Sequence, residues 1–200
     1  MQMGNNNFER PFVQTFTGGK FYFDAVEENA IVPEDLAHAA SLMCRFNGHV
    51  REHYSVGQHE LYASLLVRPD LALAALVHDS SETFVPDIAS PLKAWLRMSP
   101  GWRVANRQRS ILVLEKQIEA HIHSALGIVL TEADRDEIKA VDRRLAVTER
   151  RDLMPPVDSG DCWWSDEPYP FHIEPRDPWS IEEAWLHRFR ALRSSRIHVW

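Results

Sequence analysis

The feature that most constrains this chain is a short, densely aliphatic segment, Leu71 to Val77, that ends directly on His78 and Asp79. Nearly every side chain in it is apolar, so a helix at this place must be buried almost all round its circumference. The segment is far shorter than the roughly 20 residues that cross a bilayer. It therefore predicts a helix buried inside a globular domain, with a histidine and an aspartate at its end.

Start and stop signals predict further helices on both sides of this segment. The predicted elements are a helix from Pro33 to Gly48, one capped by Ser55 and reaching about Val67, a short one opened by Ser90-Pro91, a long one from Val104 to Leu126, one opened by Thr131-x-x-Asp134, and a last one from a Ser180–Glu183 capping box to about Leu192. The sequence thus predicts an all-α fold.

We expect one domain over residues 1–200, with a helical core at about 33–154 and a C-terminal extension at 155–200. The N- and C-terminal segments are predicted to be irregular and rich in aromatic residues. The late tryptophans (Trp163, Trp164, Trp179, Trp185 and Trp200) suit a core or a subunit interface better than a nucleobase clamp. A homodimer is the expected assembly.

Composition narrows the class of protein. Apolar residues make up 44% and charged residues 26%, values typical of globular domains. The net charge is −7, which argues against binding of polymeric nucleic acid but leaves room for a small anionic substrate in a locally basic pocket. The distant Cys44 and Cys162 and the absence of a basic, apolar leader predict a cytoplasmic protein without membrane attachment.

Four polar side chains on predicted helices can form a metal site. His78 and Asp79 follow the buried helix, His59 lies on the helix before it, and Asp142 lies on a later helix between small and apolar neighbours. Two imidazoles and two carboxylates form a mixed nitrogen and oxygen set that suits a divalent transition metal. Spacing alone also allows another interpretation, in which His59 is a packed core histidine and Asp142 is a solvated helix acid.

The order His59, His78-Asp79, Asp142 resembles the H…HD…D signature of HD-domain metal-dependent phosphohydrolases. The segments His78-Asp79-Ser80-Ser81-Glu82 and Asp87-Ile88-Ala89-Ser90-Pro91-Leu92-Lys93 are similar to the HDxxE and DxxxPxK motifs of the 5′-deoxynucleotidase branch. Cys44–His49, Tyr54–His59 and Thr148–Met154 add to the likeness, which covers about 35–154. The resemblance implies an HD-domain helical bundle.

The resemblance also implies roles for individual residues. His59, His78, Asp79 and Asp142 are expected to bind one divalent ion, with Co, Mn, Zn, Fe and Mg left open. Glu82 and Asp87 are the expected catalytic carboxylates. Glu82 comes one turn beyond the His78-Asp79 pair, and Asp87 lies across the loop that follows. The expected substrate contacts are Arg45, Phe46, Lys93 and His49. Phe46 replaces a tryptophan linked to rejection of the ribose 2′-hydroxyl, and Gln58 replaces an acid before the first ligand.

The expected reaction is hydrolysis of a (deoxy)nucleoside 5′-monophosphate to nucleoside and phosphate, with a small-molecule nucleotide as the partner. One alternative within the same chemistry is a triphosphohydrolase that releases triphosphate from a nucleoside triphosphate. The basic stretch that contains His49, Arg51 and His53 leaves that alternative open. An alternative from another class is a non-catalytic helical module that binds a metal or a nucleotide.

Overall fold

The computed structural model describes residues 10–86, 88, 92–93, 111–156 and 165–197. Across these ranges the chain is mainly α-helical, with only a small two-stranded sheet. The helices are α1 (Pro33–Leu42), α2 (Val56–Leu66), α3 (Ala72–Leu76), α4 (Ile111–Leu126), α5 (Glu132–Leu153) and α6 (Pro178–Ile197). The predicted helical class is therefore confirmed. None of the helices in the described part is long and apolar enough to cross a membrane.

The sheet is an N-terminal hairpin of β1 (Phe12–Gln14) and β2 (Lys20–Tyr22). The strands are antiparallel, with Val13 opposite Phe21. Gly18 forms the connecting turn at φ +86°, a conformation that other L-residues rarely adopt. Phe21 is buried and stacks on Phe84, so the hairpin is attached to the helical core.

Helix α3 lies at the centre of the core. All of its side chains are at most 1% exposed, as the aliphatic segment predicts. It packs against α2 and α6, while α1 packs against both of those helices and α5 packs against α2. Trp185 of α6 is fully buried in this core, whereas Trp179 is 63% exposed. The prediction of a core or interface position is thus confirmed for Trp185 as a core position. For Trp179 the structure excludes the core, and the interface position stays a prediction. Trp163, Trp164 and Trp200 lie outside the described residues.

Local capping signals place three helix ends correctly. The Ser55 hydroxyl accepts a hydrogen bond from the Gln58 amide at the start of α2, and Thr131 forms a reciprocal capping box with Asp134 at the start of α5. Gly127, at φ +64°, follows the last residue of α4. The predicted helix starts at Ser90 and Val104 lie outside the described ranges.

The start of α6 differs from its prediction. The helix begins at Pro178, and the Asp177 carboxylate accepts the hydrogen bond from the Ser180 amide, so Asp177 rather than Ser180 caps it. The end also differs, because α6 continues to Ile197 and not only to about Leu192. A proline in the first turn is compatible with an aspartate cap directly before it.

The end of α1 also corrects its prediction. The helix stops at Leu42 instead of Gly48, and Met43 turns extended. Backbone hydrogen bonds then join this extended segment to the start of α2, from Arg45 N to Tyr54 O and from Val56 N to Met43 O, each 2.9 Å. This pairing places Arg45 beside the start of α2, whose first residues are buried.

Candidate metal centre

The side chain of His59 lies inside the protein, on the first turn of α2. It is 0% exposed, since α2 is held between α1, α3, α5 and α6. His78 and Asp79 come just after α3, which ends at Leu76. The two residues thus lie in a turn beyond the helix and not on its last turn as predicted, because the helix ends earlier than expected. Asp142 projects from α5, which packs against α2.

These elements bring the predicted ligand atoms together. His59 Nε2 lies 3.2 Å from His78 Nε2 and 3.2 Å from Asp142 Oδ1. His78 Nε2 lies 4.0 Å from the same Asp142 oxygen. Among the described residues, this His59, His78 and Asp142 group has the spacing that can hold a metal ion.

Asp79 joins the group through one carboxylate oxygen. Its Oδ2 atom is 3.6 Å from His59 Nε2 and 3.5 Å from His78 Nε2. The structure therefore brings all four predicted ligand side chains into one cluster. Two nitrogen and two oxygen donors of this kind fit a divalent transition metal, whose binding stays a prediction.

Hydrogen bonds on the far side of each ring orient the imidazoles. His78 Nδ1 donates to the Ala75 carbonyl at 2.8 Å, and His59 Nδ1 lies 2.6 Å from Glu149 Oε1. A carbonyl or carboxylate oxygen can only accept here, so each Nδ1 carries the hydrogen. Each Nε2 atom then faces the cluster, which is the tautomer that a metal ligand needs.

Glu149 belongs to the candidate site, although the sequence predictions gave it no role. It is fully buried on α5, and besides His59 it accepts hydrogen bonds from Tyr54 Oη at 2.9 Å and Arg45 Nε at 3.1 Å. Its position seven residues after Asp142, two helical turns along α5, is the signal that could have indicated a shared face. Glu149 connects the first predicted ligand with the predicted phosphate-binding arginine.

The cluster has an excess of carboxylates, and this governs its electrostatics. Burial opposes the charge on His59, and so does Arg45, but Glu149 and Asp142 outweigh both and raise the pKa of His59 to about 10. Burial likewise opposes the charge on Asp142, yet the two histidines and Arg45 hold its pKa well below the usual range. The site therefore favours an added positive charge, whether a proton or a metal ion.

Arg45 lies directly beside the predicted ligands. Its Nη1 atom donates to Asp79 Oδ2 at 3.1 Å, and its Nε atom donates to Glu149. Burial disfavours its charge, but the surrounding carboxylates of Glu149, Asp79 and Asp142 raise the pKa of Arg45 further above its ordinary value. The guanidinium is thus a permanently charged group at the edge of the cluster.

A strained turn follows Arg45. Phe46, Asn47 and Gly48 have φ values of +55°, +52° and +78°, and a bulky residue such as Phe rarely adopts this left-handed conformation. The Phe46 ring lies 5.5 Å from the Arg45 guanidinium carbon. Such strain is typical of functional sites. His49, just beyond the turn, is exposed, and its substrate contact stays a prediction.

Glu82 and Lys93 lie next to each other. Glu82 is 7% exposed and belongs to a 3-10 turn, Ser80–Thr83, not to a continuation of α3. Lys93 Nζ lies 3.9 Å from Glu82 Oε1 and donates to Glu115 Oε1 at 2.7 Å. The sequence did not indicate Glu115 as a partner of Lys93. Asp87 lies outside the described residues, so its predicted role is unchanged.

Gln58, which precedes the first predicted ligand, makes its hydrogen bonds to the segment before α6. Its Nε2 atom donates to the Glu174 carbonyl at 2.7 Å, and its Oε1 atom accepts from the Arg176 amide at 3.0 Å. Gln58 therefore fastens the segment before α6 to α2. The hydrogen-bond acceptor on the far side of the His59 ring is Glu149 instead.

Comparison with known proteins gives a family but no activity. The chain is 34% identical over 189 residues to the uncharacterized protein YfdR of Escherichia coli, covering 92% of this chain and 97% of that protein. The chain belongs to the YfdR family. It is also 29% identical over 120 residues to the uncharacterized protein RCAP_rcc00048 of Rhodobacter capsulatus, which covers 54% of this chain and 56% of that protein.

No protein-family model matches the chain. Both relatives are described as uncharacterized, so the function has to be argued from the site itself.

Proposed function

We propose that this protein is a metal-dependent phosphohydrolase with an HD-type helical bundle, acting on a nucleoside 5′-monophosphate. The observation that carries the proposal is the convergence of His59, His78 and Asp142, with Asp79 Oδ2 within 3.6 Å of both imidazoles. These residues are far apart in the sequence and match the four positions of the H…HD…D signature. Asp142 lies 3.2 Å from the fully buried His59, so it is not the helix acid facing only solvent of the alternative interpretation.

The donor set fits a divalent metal ion, which His59, His78, Asp79 and Asp142 would hold. When bound in such a site, the ion lowers the pKa of a coordinated water and withdraws charge from the phosphorus. The raised pKa of His59 fits this assignment, because it reports a local excess of negative charge that a cation relieves.

Protein groups would supply binding and proton transfer. Arg45 carries five N–H donors, and its described contacts to Asp79 and Glu149 engage only part of them, so the same guanidinium can bind phosphate oxygens. Glu82 is the proposed proton acceptor for the attacking water, and Asp87 the proposed donor to the leaving oxygen. Lys93, held between Glu82 and Glu115, would add a second cation for the phosphate.

Phe46 is the proposed contact for the sugar. Its ring lies next to Arg45, so a phosphate on Arg45 would bring the attached ribose near the Phe46 side chain. Base and sugar preference, the homodimer and the cytoplasmic location stay predictions.

The test is to assay the purified protein with each nucleoside mono- and triphosphate, ribo and deoxy, in Co²⁺, Mn²⁺ or Mg²⁺. We expect phosphate from a monophosphate. Release of triphosphate would favour the triphosphohydrolase alternative. Inactivity with every substrate, together with no metal in the purified protein, would favour the non-catalytic module.

Two variants separate the proposed roles. We expect Asp79→Ala to abolish turnover and lower the metal content, because it removes a ligand. Glu82→Ala should keep the metal and lose at least about a hundredfold in rate, the usual size of a proton-transfer contribution. Asp136→Ala, at an exposed position on α5, is the matched control and should behave as wild type. Full activity in Asp79→Ala contradicts the proposal.

A further inference from the structure

A buried polar cluster lies behind the candidate metal centre, on the side of α6. The Glu60 carboxylate is fully buried, and both of its oxygens accept hydrogen bonds. Ser80 Oγ donates to Oε1 at 2.7 Å, and Trp185 Nε1 donates to Oε2 at 2.8 Å. Ser80 and Trp185 are themselves 0% exposed, so the three groups satisfy one another away from solvent. We call them the Glu60 cluster (Glu60, Ser80 and Trp185).

The cluster joins the residues that directly follow the predicted ligands. Glu60 comes after His59 on α2, and Ser80 comes after the His78-Asp79 pair. The Glu60–Ser80 hydrogen bond therefore links the two backbone segments whose imidazole Nε2 atoms lie 3.2 Å apart.

The His78-Asp79 pair needs such support because it lies outside a helix. α3 ends at Leu76, and the following backbone hydrogen bonds span only three residues, as from Ser80 N to Val77 O at 3.2 Å. Turns of this kind fix side-chain direction less firmly than an α-helix does. The side-chain hydrogen bond of Ser80 adds a fixed point immediately beyond Asp79.

Trp185 extends this support to α6. Its indole N–H donates to the second carboxylate oxygen, which holds the Glu60 side chain with Oε1 facing Ser80. The ring is also stacked on Phe189, with centroids 5.5 Å apart and planes within 8°. The last helix of the chain thereby sets the position of a carboxylate next to the first predicted ligand.

We infer that the Glu60 cluster is a positioning device through which α6 fixes the His78-Asp79 turn against His59. This inference rests on the proposed metal site, since it assigns a role relative to that site. None of the three side chains has to touch the ion or the substrate. Residues behind metal ligands commonly change metal affinity about 10- to 100-fold when they are replaced.

The experiment measures Co²⁺ binding by calorimetry and by the visible absorption of the bound ion, which reports coordination geometry. We expect Ser80→Ala to weaken Co²⁺ binding about tenfold and to alter the absorption spectrum. Trp185→Phe is the second variant, with the same expectation, and it keeps the test open if Ser80→Ala folds poorly.

One control variant matches these changes in chemistry and burial. Ser64 is 1% exposed on α2, and its hydroxyl accepts a hydrogen bond from Arg188 Nε of α6 at 3.0 Å. Ser64→Ala thus removes a buried α2–α6 hydrogen bond that does not lead to the predicted ligands. It should lower the melting temperature while keeping Co²⁺ affinity within about twofold of wild type.

The outcomes separate this inference from the proposed function. If wild-type protein binds no Co²⁺ or other divalent ion, both fail. If wild type binds Co²⁺, and both Ser80→Ala and Trp185→Phe bind it with the affinity and the absorption spectrum of wild type, only the positioning role is overturned. A loss of affinity as large in Ser64→Ala as in Ser80→Ala also overturns it, because general destabilisation then explains the effect.

Discussion

Glu149 holds His59, Arg45 and Tyr54 with two carboxylate oxygens, although it has no place in the ligand pattern. Its Oε1 atom fixes the ring of the first predicted ligand, and its Oε2 atom fixes the guanidinium that would bind phosphate. A buried carboxylate in this position has to remain charged. Burial opposes this, but Arg45 and His59 prevail and keep the pKa of Glu149 below its ordinary value.

Glu149→Gln should therefore weaken metal binding about 10- to 100-fold, because an amide accepts fewer hydrogen bonds and removes the charge opposite Arg45. Calorimetric titration with Co²⁺ measures this. Glu132→Gln, at an exposed position in the first turn of the same helix, is the control and should match wild type. Wild-type affinity in Glu149→Gln would show that the orientation of His59 does not depend on this carboxylate.

His123 gives a prediction about acid stability. Burial lowers the pKa of this α4 histidine to about 4, and nearby Arg135 and His78 act in the same direction. Its folded-state pKa thus lies below the unfolded value of about 6.5, so the unfolded chain binds the extra proton first. The stability contributed by neutral His123 is present above about pH 6.5 and is lost as the pH falls towards 4.

His123→Leu should remove this part of the pH dependence. Between pH 6.5 and 4.5, the fall in unfolding free energy should shrink by about 1–2 kcal/mol, a value that allows for partial solvent screening. Urea denaturation at several pH values measures it. An identical slope in His123→Leu would mean that this histidine titrates normally in the folded protein.

At the scale of whole elements, the success of sequence reasoning depends on how local each signal is. The caps of α2 and α5 are hydrogen bonds within four residues, so Ser55 and Thr131 could be identified from spacing. The end of α1 is set instead by pairing of Met43 and Arg45 with the segment before α2. That pairing is a tertiary contact, and no periodicity in α1 indicates it.

In the candidate site, too, local spacing indicated some residues, whereas residues held by distant contacts were not indicated. The four predicted ligands follow a recognisable spacing, and the structure places them together. The residues behind them, such as Glu149 and Glu60, become visible only when α5 and α6 are packed on α2. Their side chains look in the sequence like ordinary helix acids, because partners such as His59 for Glu149 and Trp185 for Glu60 lie 90 or more residues away.

The cap of α5 can be tested by itself. Thr131→Ala removes the hydroxyl that accepts from the Asp134 amide, and loss of such a cap costs about 1 kcal/mol. The unfolding free energy from urea denaturation should fall by this amount. Thr131→Ser keeps the hydroxyl and should restore most of the loss. Co²⁺ affinity should stay the same in both variants, since Asp142 lies three turns further along α5.

At the scale of the whole molecule, the candidate metal centre joins elements that the chain connects only through long intervening segments. His59 lies on α2, the His78-Asp79 pair follows α3, and Asp142 lies on α5. In the unfolded chain these side chains are separated and cannot form one site. A metal ion that binds all of them therefore binds the folded state almost exclusively, so its binding free energy adds to stability.

This linkage gives a prediction for the intact protein. At a free Co²⁺ concentration about 100 times the dissociation constant, the unfolding free energy should rise by about 2.7 kcal/mol over the chelator-treated protein. For a chain of this size, that corresponds to an increase in melting temperature of roughly 5–10 °C, measurable by calorimetry.

Asp142→Ala is the control for this stabilisation, because it removes one predicted ligand whose side chain is 36% exposed and leaves both histidines in place. The variant is expected to be less stable than wild type even without metal, since Asp142 lies 3.2 Å from His59 and their charges attract. The comparison therefore uses the increment on adding Co²⁺ and not the absolute melting temperature. That increment should largely disappear in the variant. An equal increment in both proteins would mean that the ion binds elsewhere, since no site containing Asp142 could then account for the stabilisation.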